Sequence, residues 1–426
     1  MPDFRSREIG ILVDMAGCPN RCRHCWLGCP PNRRMSEKTF RWVVQQFREW
    51  VYPGEREPFF KPFDAMTWYR EPDFAPNYRE LHELEKEVSE GRATRFELLS
   101  IWRLARDKGY AEWAREAGAA SKRSAASPNE GTESCQITFF GMKKTTDYFA
   151  RRRGAFLDNL IATECLLEVG IKPRWQLFLT KPIVPELDDL LHLADFMRLE
   201  KRVSDIGGEF EIFVNTPSPD GEAWNIEHLR PDVDVLPHIP EYLVEKTKAH
   251  RGVSSIEEAF GYAEDDLITK FLDDPEPYAW QPKHLAFMVT SDLDVFSNIG
   301  ELTPWWRLGN LKTDSIDDIM RRFENDETPG MYAHFHVPVS TLAEEYGQRG
   351  SRKMYQDGDL KIRLVRQWAE GRKKRGDGGT RGQGDMEKTG KRAVNVWKRQ
   401  RDLMRRGFPM GRKESIRREE LYKRKG

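Results

Sequence analysis

Glu8-Ile-Gly-Ile-Leu-Val-Asp-Met15, followed almost at once by Gly17-Cys18-Pro-Asn-Arg-Cys22-Arg-His24-Cys25-Trp26, is the stretch on which the reading of this chain turns. Its first half is an apolar, β-branched run and reads as a buried strand. Beyond the cysteines, Ser36 precedes Phe40, Val43, Val44 and Phe47 at helical spacing. Ser36 therefore reads as the N-cap of an amphipathic helix. The order is strand, cysteine loop, helix.

The cysteines are spaced C-x3-C-x2-C. Three thiolates this close can hold three irons of a [4Fe–4S] cube and leave the fourth iron open to a substrate or cofactor, as open metal sites do. Cys29 and Pro30 extend the run to C-x3-C-x2-C-x3-C-P, one residue away from a ferredoxin spacing. Were Cys29 to close the cluster, the chain would be an electron carrier. A four-cysteine zinc site is a further alternative, although zinc favours two separated pairs. Ferredoxins are short and usually carry a second cysteine run. Here Cys135 and Cys165 stand alone, and the open cluster is the favoured reading.

At 426 residues the chain suits two or three domains, or one barrel with an appended region. It is hydrophilic, with 32% charged residues and a mean hydropathy of −0.72. The formal net charge of zero conceals an uneven distribution. Residues 351–426 hold 25 Lys and Arg against 10 Asp and Glu, and the rest holds 44 against 59, an acidic body with a basic tail. Cysteine usage points to a reducing compartment. The N-terminus has no apolar signal segment, and no apolar run is long enough to span a membrane. A cytoplasmic location is expected.

Further strands are expected at 66–74, 96–102, 135–140, 173–180 and 209–214. Helices are expected at 78–90, 111–117, 155–169, ending at Gly170, and 188–199, with a loop over 118–134. This alternation implies a parallel sheet with helical crossovers, and active groups at the C-terminal strand ends. The pattern weakens over 215–285. It returns at 285–289, 294–296 and 308–310, followed by a helix capped by Ser315. Residues 371–384 are low-complexity, and a helix is expected near 393–403.

The triplet and its context resemble the radical S-adenosylmethionine (radical SAM) superfamily. The resemblance implies an α/β fold: a partial (β/α)6 TIM-like barrel over residues 1–215. A smaller α+β extension similar to a SPASM or twitch region, without auxiliary-cluster cysteines, would occupy 216–345. A basic, partly disordered tail would occupy 346–426. It further implies a [4Fe–4S] cluster on Cys18, Cys22 and Cys25, with S-adenosylmethionine on the open iron. Reductive cleavage would give a 5′-deoxyadenosyl radical that takes hydrogen from a substrate. A flavodoxin or ferredoxin would be the reductant, and a peptide, peptide-derived product or other small molecule the substrate. RNA modification is the alternative enzyme reading, motivated by the basic tail. A solvated tail without nucleic acid is favoured over it.

Four residues are carried over as cofactor contacts. His24 stands where the family usually has an aromatic residue; its other reading is a plain loop imidazole. Glu71, in Tyr69-Arg-Glu-Pro72, matches the end of a Gly-Gly-Glu-Pro motif and would accept the ammonium of S-adenosylmethionine. Thr138 would meet the ribose, and Arg153, or Arg152 one residue earlier, the carboxylate. The bland alternatives are a strand threonine and a solvated helix start. No catalytic residue is assigned.

Overall fold

The computed structural model describes residues 9–60, 63–89, 98–121, 134–282 and 284–374, all within one compact unit spanning 5–375. The first half contains β1 (Ile9–Val13), α1 (Glu37–Arg48), β2 (Phe63–Met66), α2 (Tyr78–Val88), α3 (Ile101–Leu104) and α4 (Tyr110–Ser121). Then come β3 (Ser134–Phe139), α5 (Lys143–Ala150), α6 (Ala155–Glu168), β4 (Lys172–Phe178), α7 (Leu187–Phe196), α8 (Leu199–Asp205) and β5 (Ile212–Asn215). The second half contains α9 (Glu241–Arg251), α10 (Ile256–Phe260), β6 (Tyr262–Ala263), α11 (Glu264–Phe271), β7 (Leu285–Val289), β8 (Asp294–Ser297) and β9 (Gly309–Asn310). It closes with α12 (Ile316–Glu324), α13 (Pro329–His336), α14 (Val339–Tyr346), β10 (Met354–Tyr355) and α15 (Asp357–Lys374).

Two parallel arrays carry the site. In one, β1 runs between β2 and β7, pairing Ile11 with Ala65 on one side and with Phe287 on the other. In the other, β4 runs between β3 and β5. The residues at and after the C-terminal ends of β1, β2, β3, β4 and β5 line one common cavity, among them Cys18, Glu71, Thr138, Phe178 and Asn215. This is the geometry of a partial TIM-like barrel, with the site at the strand ends. The core lies behind it, where Ile137, Phe139, Trp175, Leu177, Ile212 and Val214 pack with Leu166, Leu190 and Leu243.

Local chemistry explains the elements. Ser36 accepts from the Thr39 amide at 3.1 Å and starts α1, which buries Phe40, Val43, Val44 and Phe47. Gly170, with φ 74°, follows the end of α6 as expected. β7 and β8, at the positions where the pattern returns, pair as an antiparallel hairpin, and Ser315 caps α12 by accepting from the Asp318 amide.

The structure departs from expectation in four places. The strand proposed at 96–102 is not one: Phe96 and Glu97 lie outside the described residues, and Ile101–Leu104 is a short helix. Ser100 caps that helix, and Arg103 is buried with its guanidinium bonded to the carbonyls of Asp73, Phe74 and Ala75. β2 lies earlier than 66–74, because the Thr67 amide donates to Glu85 instead of continuing the ladder. The weak segment 215–285 holds α9, α10 and α11. Finally, 354–374, read as the start of the basic tail, forms β10, paired with β6, and α15. α15 buries Leu360, Leu364, Val365, Trp368 and Ala369 on one face, and its charges had hidden this stripe. The low-complexity stretch from 375 on and the helix near 393–403 lie outside the described residues.

Leu364 is fully buried. Leu364→Ala is expected to cost about 2–5 kcal/mol, read as a lowered urea midpoint. An unchanged midpoint would show that α15 does not pack on the core.

Candidate functional site

The loop from Gly17 to Cys29 is held on three sides. Asn32 grips its start, accepting from the Cys18 amide at 3.1 Å and donating to the Cys18 carbonyl at 2.7 Å. The C-terminal end of α5 grips its middle, with the Arg21 amide on the Ala150 carbonyl and the Arg23 amide on the Phe149 carbonyl. The chain after β5 grips its end: the Glu222 amide donates to the Cys25 carbonyl at 2.9 Å. Gly221 permits that approach, since a Cβ there would run into the carbonyls of Cys25 and Trp26, and its φ is 55°.

Cys18, Cys22 and Cys25 all line the shared cavity, which has a volume of about 650 Å³. Burial pushes all three thiols up, Cys25 to about 12, and neighbouring thiols and carboxylates add to the effect: Glu71 with Cys22 and Cys25 for Cys18, Cys25 and Glu71 for Cys22, Cys29 and Asp220 for Cys25. Half-buried thiols in such company are stabilised as thiolates by a bound cation, so the donor set suits an iron centre. Among the described residues no three His, Cys, Asp or Glu side chains converge as a single metal ion requires. Cys29 also lines the cavity, and its thiol donates to the Cys22 carbonyl. Burial raises Cys29 as well, with Glu222 adding and Arg151 and Arg21 opposing.

The sequence-derived contacts fall out as follows. His24 is half-buried, its ring centroid 4.5 Å from that of Phe140 and 4.6 Å from that of Phe178. Desolvation of the ring lowers it to about 4, so it is neutral at pH 7 and packs against the two phenyl rings. Glu71 is half-buried and lines the cavity; Ser100 donates to it at 2.8 Å, and desolvation of its carboxyl raises it to about 7. Thr138 lines the cavity, on the same face of β3 as Gln136. Arg153 is exposed and is not among the lining residues. Arg152 lines the cavity instead, bonded to Asn20 and to Asp158. The register slips because Arg151 ends α5 in a left-handed conformation, φ 49°, and Asp147 then caps α6 through the amides of Gly154 and Phe156.

Sequence reasoning missed two groups. Arg70, which stands where the resembling motif has glycine, forms a buried pair with Asp14 at the end of β1 (2.6 Å) and donates to the Pro30 carbonyl (2.9 Å). It thus ties β1, β2 and the far side of the cysteine loop together. The opposite wall comes from the second half: Thr216, Arg251, Tyr278 and Asp359. Asp359, on the first turn of α15, accepts from the Thr216 hydroxyl at 3.2 Å, and burial raises it to about 6. Only a contact map across more than 140 residues would have brought it to the site.

No family model and no curated protein matches the chain. Solved structures do. The chain is similar to native anSMEcpe with bound AdoMet, at 12% identity over 85% of this chain and 98% of that one, with a TM-score of 0.43. For the histidine-tagged form with bound AdoMet the identity is 12%, the coverage 85% and 93%, and the TM-score 0.46. For Streptococcus suis SuiB bound to S-adenosylmethionine the identity is 11%, the coverage 79% and 68%, and the TM-score 0.39.

Arg70→Met would strand the Asp14 carboxylate in the interior. It is expected to cost about 3–5 kcal/mol in chemical denaturation, and the double variant with Asp14→Leu should recover much of that loss. A single variant as stable as the parent would show that the pair does not hold the loop.

Proposed function

We propose that this chain is a radical SAM enzyme with a SPASM-like second half that carries no auxiliary-cluster cysteines. One observation carries the reading: three loop thiols, anchored from three sides, open onto a cavity of about 650 Å³, lined by both polar and apolar side chains, at the C-terminal ends of parallel strands. That volume lies within the usual range for small-molecule sites. A closed electron-transfer centre has no use for such a space beside it.

Cys18, Cys22 and Cys25 would hold the cluster, and Cys29 stays on its hydrogen bond to Cys22. The chemistry that a cluster and S-adenosylmethionine bring when bound is one-electron cleavage of the sulfonium and hydrogen abstraction from a substrate. Glu71 offers a carboxylate to an ammonium group, and Arg152 offers a guanidinium to a carboxylate. Thr138, Gln136 and Gln176 supply neutral hydrogen-bonding groups along one wall. The rings of His24, Phe140 and Phe178 keep water from that floor. A flavodoxin or ferredoxin is the proposed reductant, and a peptide or peptide-derived molecule the proposed substrate.

The protein should be reconstituted without oxygen, reduced and given S-adenosylmethionine. Release of 5′-deoxyadenosine is expected, and it should persist in Cys29→Ala but not in Cys22→Ala. No release, or loss of iron in Cys29→Ala, would favour the closed carrier. Arg152→Gln is expected to weaken S-adenosylmethionine binding by about tenfold or more, the worth of a charge-assisted contact, while Arg153→Gln leaves it unchanged. The reverse result in a calorimetric titration would restore the sequence-based register.

A further inference from the structure

A second cavity, of about 310 Å³, lies beside the first, and its walls have a different chemistry. Three indoles line it, those of Trp26, Trp280 and Trp306, together with the carboxylates of Asp220 and Glu301 and the guanidinium of Arg366, which is paired with Glu301 and leaves Asp220 as the carboxylate to be matched. Trp26 and Ile362 line both cavities, so the two adjoin, and Trp26 directly follows Cys25.

The Trp306 indole and the Trp280 backbone are held in place. Trp306 is buried, and its ring passes close to Gly300 and Gly330; a Cβ at either glycine would overlap it. The Trp280 carbonyl accepts from His334 Nε2 at 2.6 Å, and the Ala279 amide donates to the His334 carbonyl at 2.9 Å. Burial lowers His334 to about 4, so its ring is neutral and brings no positive charge. Trp26 and Trp280 nevertheless remain 39% and 47% exposed, apolar surface left open beside the cavity.

The two carboxylates differ. Glu301 is satisfied, since Arg366 reaches it at 2.6 Å in a buried pair, the Gly221 amide donates at 2.6 Å and Trp305 Nε1 at 3.0 Å. Asp220 is not. Its Oδ1 is buried and receives no hydrogen bond. The charges that weigh most on it, Glu301 and Asp359, have its own sign, and with burial they hold its carboxyl up near 7. A buried carboxylate among carboxylates is costly until a cation joins it.

We propose that this second cavity recognises an organic cation, an alkylammonium or guanidinium group such as ends a Lys or Arg side chain, seated among Trp26, Trp280 and Trp306 with its charge on Asp220. Indole faces attract such cations, and a carboxylate adds a charge-assisted hydrogen bond. That the cation belongs to the substrate rests on the proposed function; the binding itself does not. A substrate anchored there would present its neighbouring atoms to the adjoining cysteine cavity.

The test uses the full chain with n-butylguanidinium and its neutral isostere n-butylurea, followed by indole fluorescence and ligand-observed NMR. Butylguanidinium is expected to bind at least about tenfold more tightly than butylurea. Asp220→Asn should lose that preference while keeping the parent's thermal midpoint. Trp280→Leu, at a half-exposed position, should weaken both signals and serves as the check if Asp220→Asn folds poorly. Equal binding of the two probes, or an undiminished preference in both variants, would overturn the proposal. Selective binding without any 5′-deoxyadenosine release would keep the cation site and overturn the radical SAM reading. Release without selective binding would do the opposite.

Discussion

The hydrogen bond from the Glu222 amide to the Cys25 carbonyl is the contact on which the site depends. It joins the two halves of the molecule at the cysteine loop, over nearly two hundred residues of chain. Gly221 makes it possible, and Gly221 is itself held by Glu301 through its amide and by Arg366 through its carbonyl. The thiols therefore sit on a loop that neither half positions alone. Pre-organisation of this kind is what a metal centre asks of a protein, because ligands that must search for their geometry bind less tightly.

Burial runs through the electrostatics of this region. It raises the thiols, Glu71, Asp220 and Asp359, and it lowers His24 and His334. Burial thus pushes these groups toward their neutral forms. Arg70 and Arg366 are already committed, to Asp14 and Glu301. Charged guests, a metal cluster on one side and an organic cation on the other, would supply what the protein leaves uncompensated.

Much of this was legible in the sequence where the signal is local. The cysteine spacing, the Ser36 cap, the strand at 135–140, the helix ending before Gly170 and the hairpin at 285–296 each depend on neighbours in sequence. Ile101–Leu104 was misread because two apolar residues and a tryptophan look alike in a short strand and a short helix, and the Ser100 cap decides between them. That Arg152 and not Arg153 lines the cavity is set by the left-handed turn at Arg151, which leaves no mark in composition. α15 was hidden by its charges, and Asp220, Glu301 and Asp359 meet only through tertiary packing. What distance and conformation decide, a single sequence does not display.

In the proposed function three cysteines, not four, would anchor a cluster whose remaining iron faces the cavity. Mössbauer spectroscopy of protein reconstituted with iron-57 tests this most directly, before and after S-adenosylmethionine is added. One iron of the four is expected to be distinct and to change its parameters when the nucleotide binds. Four irons that stay equivalent and unresponsive, each held by protein sulfur, would contradict it.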